Sequence, residues 1–234
     1  MAKPTIILCA GAWHTRAHLA PVLPIFEKAG YKTIPHTLPS TGGHSSSFAA
    51  DVSAIQSAIS MELETGNTVV PIFHSLAGLS GLEAINQLAA SSGDDKGKVL
   101  RTILLASFLD VAPITAHLAA NAYILPEPET GLVWTQHGKE AFYNDMAPEA
   151  AKPFIDALVS LAMYTDAPAL SSGRWQCQAV TYLLCERDNA VPVAIGEETA
   201  AEHGMQLARM DAGHCPFVSQ PEKFVAVVDG ILRA

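Results

Sequence analysis

Short apolar runs that alternate with stretches of helical periodicity leave few architectures open to this chain. The runs are Thr5–Cys9, Tyr31–Pro35, Val69–Phe73, Val99–Ala106, Ala179–Cys185 and Met205–Met210. Between them, Leu19–Ala29 reads as a helix ended by Gly30. Phe48–Leu63 carries Val52, Ile55, Ile59 and Leu63 at helical spacing and stops at Gly66-Asn67,. Further helices are expected from just after Ser75 to about Ala90, over Val193–His203 and over Glu222–Leu232. Strands that alternate with helices in this way bury themselves as a mostly parallel central sheet flanked by helices, an α/β fold.

The alternation lapses once, between Ser107 and about Trp175. That stretch holds several aromatics, the Pro-Glu-Pro-Glu segment at residues 126–129, and helical patterns around Lys139–Phe142 and Glu149–Met163. It reads as a small helical lid inserted between core strands. The expected organisation is therefore a core in two parts, residues 1–106 and 177–234, interrupted by a lid at 107–176. A chain of 234 residues suits one such domain,.

At the end of the third run, Phe73-His74-Ser75-Leu76-Ala77-Gly78 places a serine on a strand-to-helix turn. A serine hydroxyl attacks poorly unless a base removes its proton, so a nucleophilic role requires a histidine oriented by a carboxylate. Asp188 follows the run ending at Cys185, and His214 stands between Gly213 and Pro216 after the last run. Glu186 and Asp110 compete for the acid role, and Ser80 for that of nucleophile; Glu186 is expected to pair with a neighbour such as Arg187 or to be solvated, and Ser80 to lie within a helix. His14 and His18 have the spacing of helical metal ligands, but no third ligand is evident, and no metal site is expected. His74 is expected to pack beneath the serine.

An acyl-transfer site also needs donors for a developing oxyanion. The amide of Leu76, next after the serine, is one candidate. The amide of Ala12, in the loop Ala10-Gly11-Ala12-Trp13 after the first run, is the other. Gly11, Trp13, His14, Phe108, Trp134, Phe142, Tyr143 and Tyr164, with Trp175 at the lid border, are candidates to shape an apolar substrate pocket; the lid aromatics serve equally well as lid core.

A formal charge of −9 disfavours nucleic acid as a partner,. The apolar runs are too short to span a bilayer, so no membrane partner is expected. The apolar start, with Pro4 and Thr5–Cys9, favours a core strand over a signal peptide, and a cytoplasmic location is expected. The four cysteines, Cys9, Cys177, Cys185 and Cys215, lack metal-binding spacing and read as free thiols,. The expected partner is a small-molecule substrate, a homodimer is one candidate assembly, and no cofactor is expected.

At these residues the sequence resembles the α/β-hydrolase superfamily, in particular its methylesterase and hydroxynitrile-lyase branch with short fungal homologues. The resemblance spans nearly the whole chain. It rests on Ile6–His14, Phe142–Asp145, Tyr182–Pro192 and above all Gly213–Glu222. It implies an α/β-hydrolase fold with the order Ser75, Asp188, His214. Two residues depart from the family pattern: Ala10 stands where a histidine is usual, and Phe73 where the turn has glycine. The lyase branch has threonine at the place of Gly11 and lysine at the place of Cys215. The leading expectation is a cofactor-independent serine hydrolase acting on an ester or lactone of a small apolar molecule. A lyase or cyclase of natural-product metabolism and a catalytically silent ligand-binding homologue are the alternatives.

Overall fold

The computed structural model describes residues 3–90, 97–166, 168–171, 173 and 179–233. Six strands form the main path of its parallel sheet: β1 (Thr5–Cys9), β2 (Thr33–His36), β3 (Thr68–His74), β5 (Thr102–Leu105), β9 (Val180–Cys185) and β10 (Gln206–Met210). Their spatial order is β10-β9-β5-β3-β1-β2, and the short strand β4 (Lys98–Val99) also pairs with β3. Every pairing in this sheet is parallel. Helices α1 (Leu23–Lys28), α2 (Phe48–Glu64), α3 (Ala77–Ala90), α7 (Val193–Glu202), the short α8 (Pro216–Ser219) and α9 (Pro221–Arg233) accompany it. This is the α/β-hydrolase fold expected.

The chain lays β2 on one side of β1 and all later core strands on the other. Strand order therefore reverses at β1, and the carboxyl ends of β1 and β3 border the crevice where open α/β sheets bind ligands. Cys9 pairs with Phe73, so the residues that follow, Ala10-Gly11 and His74-Ser75, emerge side by side.

Three core elements differ from the sequence expectation. The helix expected over Leu19–Ala29 is a 3₁₀ turn at Arg16–Leu19 followed by α1. Pro21 and Pro24, which lack an amide hydrogen, break the continuous ladder. The strand expected over Val99–Ala106 is split into β4 and β5, and the second strand begins at Thr33 instead of Tyr31.

The insertion departs most. It has helices α4 (Val111–Ala120), α5 (Gly138–Phe142) and α6 (Pro148–Asp156), but also a three-stranded antiparallel sheet of β6 (Ile124–Glu127), β7 (Leu132–Thr135) and β8 (Leu161–Ala162). It is thus a mixed rather than a helical insertion. The helix expected over Glu149–Met163 ends at Asp156 because tertiary partners claim the rest. The Val159 amide donates to the Trp13 carbonyl (3.1 Å), and the Ala162 amide to the Ser40 carbonyl (2.9 Å). Asp166 reaches back from the insertion to the start of α2. Its carboxylate accepts from the amides of Phe48 (2.6 Å) and Ala49 (3.1 Å), which holds its pKa below the usual carboxylate range.

Cys9, Cys185 and Cys215 are buried free thiols. Cys177 and Trp175 lie outside the described residues.

Candidate active site

Ser75 sits at the carboxyl end of β3 with φ of 53°, a left-handed conformation costly for a residue with a Cβ. Three bonds hold it there. Its amide donates to the Leu105 carbonyl (3.0 Å), and its carbonyl accepts from the Gly78 amide (2.9 Å) and the Ser107 hydroxyl (2.7 Å). The turn is crowded on every side, and glycines make the room. A Cβ on Gly11 would stand 2.7 Å from the Ser75 Cβ, and one on Gly78 would run into the Ser107 side chain.

The same crowding explains how Phe73 occupies a place where the family pattern has glycine. Its ring lies against Gly81 of α3, where a Cβ would come within 2.4 Å of ring carbons. Bulk two residues before the serine is matched by its absence six residues after.

Asp188 follows β9 in a tight turn. Its Oδ1 accepts from the amides of Ala190 (2.8 Å) and Val191 (2.9 Å), while Oδ2 lies 2.8 Å from Nδ1 of His214. Both side chains are almost fully buried. With Nδ1 engaged, Nε2 is the imidazole nitrogen left for other chemistry. The two competitors are occupied elsewhere: Asp110 caps α4 through the Ala112 amide (3.0 Å), and Glu186 lies on the surface facing Arg209.

The loop that carries His214 is fastened by the insertion. Oδ2 of Asp145 accepts from the Gly213 amide (2.8 Å) and the Ser219 hydroxyl (2.8 Å), and Asn144 donates to the Arg187 carbonyl (2.7 Å). Asn144 and Asp145 thus bind the acid loop and the histidine loop together. The sequence places them in a family motif, but their grip spans 43 and 68 positions and leaves no local signal.

The amides of Ala12, in the loop after β1, and of Leu76, in the turn after β3, have no acceptor among the described residues, whereas the Gly11 amide donates to Nδ1 of His74 (3.3 Å). His14 Nδ1 meets the Ala12 carbonyl (2.7 Å) and its Nε2 the Cys215 thiol (3.4 Å). His18 contacts the Phe154 carbonyl (3.1 Å) and the Thr15 amide (3.0 Å). Burial holds the pKa of His14 well below the ordinary imidazole value, and that of His18 below it.

Ser75, His214, Ala12 and Leu76 border one cavity of about 80 Å³, with Trp13, Phe108, Ile114 and Phe142 among its other walls. A second cavity of about 280 Å³ shares Trp13, Leu76, Val111, Thr115, Leu118 and Leu161 with it and continues to Ile124, Val133 and Tyr164. Ser75 and His214 are not hydrogen-bonded to each other in this structure; catalytic hydrogen bonds commonly tighten only when substrate is bound.

Of the expected pocket residues, Trp13, Phe108 and Phe142 line the first cavity and Tyr164 the second. Gly11, His14 and Tyr143 line neither. Gly11 is pressed against Ser75, and His14 and Tyr143 are packed beneath the site with ring centroids 5.9 Å apart. Trp134 is 43% exposed on β7, directly opposite Leu125.

A serine on a strand-to-helix turn, a buried Asp-His pair in the loops after β9 and β10, and two amides without acceptors thus stand together at the sheet crevice. The chain belongs to the Alpha/beta hydrolase family, which it matches over residues 6–227. An alpha/beta hydrolase of Aspergillus novofumigatus, nvfD, is 26% identical over 246 residues, covering 97% of this chain and 96% of that one. Among solved structures, a pyrethroid hydrolase from Sphingobium faniae aligns with a TM-score of 0.74 at 22% identity, covering 99% of this chain and 98% of that one. Polyneuridine aldehyde esterase aligns with a TM-score of 0.78 at 14% identity, covering 98% and 100%. The chain thus has the fold and family of the α/β-hydrolases, and no helix among its described residues is long and apolar enough to cross a membrane.

Proposed function

We propose that the protein is a serine hydrolase that cleaves an ester or lactone of a small apolar molecule. The observation that carries the reading is one cavity bordered by the strained Ser75 and by His214, whose Nδ1 is held by buried Asp188. Ser75 attacks the carbonyl while His214 Nε2 accepts its proton and later delivers it to the leaving group. Asp188 fixes the tautomer and offsets the imidazolium charge. The amides of Ala12 and Leu76 receive the oxyanion; each such donor contributes roughly 3 kcal/mol to the transition state. Water then releases the acyl group by the same route in reverse.

The apolar walls of both cavities favour a hydrocarbon-rich substrate, and the described part of the insertion, which supplies Val111, Leu118, Val133 and Leu161 to those walls, would act as the lid over it. The similarity to proteins named hydrolase and esterase is in keeping with this chemistry. A cyanohydrin lyase is disfavoured, because among the described residues neither cavity has a lysine or arginine in its walls and the Cys215 thiol faces His14. Aryl esters, methyl esters and lactones offered to the wild type beside Ser75→Ala test the reading. Turnover lost in the variant supports it; equal turnover by both proteins removes Ser75 as nucleophile.

A further inference from the structure

We propose that His74, the residue before the nucleophile, is a positioning residue that locks the oxyanion loop and the base loop to one another. The inference rests on the serine-hydrolase reading above and extends it. His74 is fully buried and lines neither cavity at the site, yet both its ring nitrogens are spoken for by the two loops that flank Ser75. Nδ1 faces the Gly11 amide at 3.3 Å, and Nε2 faces the backbone carbonyl of His214 at 3.1 Å.

An amide only donates and a carbonyl only accepts, so these two partners dictate the tautomer: Nδ1 bare, Nε2 protonated. The neutral ring is required. A proton on Nδ1 would set donor against donor at Gly11 and push that loop away from Ser75, with which it is in contact. It would also place a second cation beside His214, whose ring centroid is 4.5 Å away, at the moment His214 becomes imidazolium. Burial, with His214 and His14 as neighbours, keeps the His74 pKa well below the ordinary imidazole value.

By taking up the Gly11 amide, His74 also selects the oxyanion donor. The Gly11 N–H is spent on the ring, and the next amide, that of Ala12, is the one left facing the cavity. His74 thereby fixes the spacing between three things that must meet a carbonyl group together: the Ser75 hydroxyl, the Ala12 amide and the His214 ring. A displacement of about 1 Å in such an arrangement costs on the order of 100-fold in rate.

The test uses a fluorophosphonate probe, whose rate of attachment to Ser75 reads nucleophile activation and oxyanion stabilisation without knowledge of the substrate. Wild type, His74→Ala, His74→Asn and His74→Gln are compared at a temperature where circular dichroism shows each folded. Asn keeps an acceptor for Gly11 and Gln a donor for the His214 carbonyl. The expected result is a loss of at least about 30-fold in His74→Ala, with partial recovery in Asn or Gln and no matching order in melting temperature.

Labelling of His74→Ala within threefold of wild type overturns the proposal, as does a ranking that follows melting temperature alone. Should His74→Ala not fold, Asn and Gln carry the test, and wild-type rates in both overturn it. Wild type that does not label at Ser75 removes the hydrolase reading itself, whereas labelled wild type with unaffected variants removes only the role of His74. Nitrogen NMR gives a second readout: His74 should show a bare Nδ1 and a protonated Nε2 from pH 5 to 8, and the reverse tautomer overturns the assignment.

Discussion

Gly11 and Ser75 meet so closely that a Cβ on the glycine would stand 2.7 Å from the Cβ of the serine. Two neighbouring strands of the sheet, β1 and β3, deliver them there in register. The loop that offers an oxyanion amide and the turn that offers the hydroxyl therefore have no freedom to separate or to approach further.

Gly11→Ala accordingly displaces the Ala12 amide from the serine. Loss of one well-placed donor costs about 100- to 1,000-fold in kcat. Ester turnover should fall by that order with KM little changed, since the apolar walls of the cavity are untouched. Steady-state kinetics on any turned-over aryl ester checks this.

Asp188→Asn leaves the shape of the acid loop but takes away the charge that faces Nδ1 of His214. The amide side chain can present a hydrogen to Nδ1 and favour the wrong tautomer. A drop in kcat of about 10³- to 10⁴-fold is expected, with the melting temperature changed far less than activity. A variant that retains a tenth of wild-type kcat would show that another carboxylate serves His214.

Phe73 and Gly81 should behave as a coupled pair. In the wild type, Gly81→Ala drives a methyl group into the Phe73 ring and destabilises by about 1–3 kcal/mol. Phe73→Ala leaves a cavity and costs about 3–5 kcal/mol. In the Phe73→Ala background the added methyl finds room, so Gly81→Ala becomes neutral or stabilising there. Urea unfolding of the four proteins gives the coupling energy directly; strict additivity would mean that the turn accommodates Phe73 by another route.

Acid should weaken the fold from just below neutrality. His14 and His74 are held neutral by burial, with pKa values well below the ordinary value, and His18 and His36 are lowered as well. In the unfolded chain these imidazoles titrate near about pH 6.5. Below that pH the unfolded state binds more protons than the folded one, so stability is full above about 6.5 and declines as the pH falls. The slope approaches about 1.4 kcal/mol per pH unit for each such histidine. Asp51, whose pKa burial raises, acts in the opposite sense but only in the lower, carboxylate range. Urea midpoints at pH 7.5, 6.5 and 5.5 test the trend, and His14→Gln should flatten it.

Much of this was legible in the sequence, because the signals that fix the core are local. The run Thr5–Cys9 is a strand end to end, and the positions of Ser75, Asp188 and His214 just beyond strand ends bring the last two into contact. The insertion was less legible for a definite reason. β7 and β8 pair Leu132 with Ala162 and Val133 with Leu161, residues some thirty positions apart, and no periodicity within either segment announces the other. The helical pattern over Glu149–Met163 runs on in sequence past Asp156, but the bonds of Val159 and Ala162 to core loops outweigh local preference. The sequence marks Asp145 only as the end of the Phe142–Asp145 motif; its hold on the histidine loop is not readable there, since its partner Gly213 is remote. The tolerance of Phe73 could not be read without knowing that Gly81 lies beneath it.

Trp13 has one more consequence. Its indole N–H donates to the Val133 carbonyl (3.0 Å), and its own carbonyl accepts from the Val159 amide (3.1 Å). The residue beside Ala12 is thus pinned at two points to the insertion proposed above as a lid. If that insertion lifts to admit a bulky guest, Trp13 must unhook and the Ala12 loop slacken, and its return would draw the loop taut again. Under that reading entry and readiness for chemistry are mechanically geared, and sequence drift in the insertion would retune reactivity as well as the choice of guest.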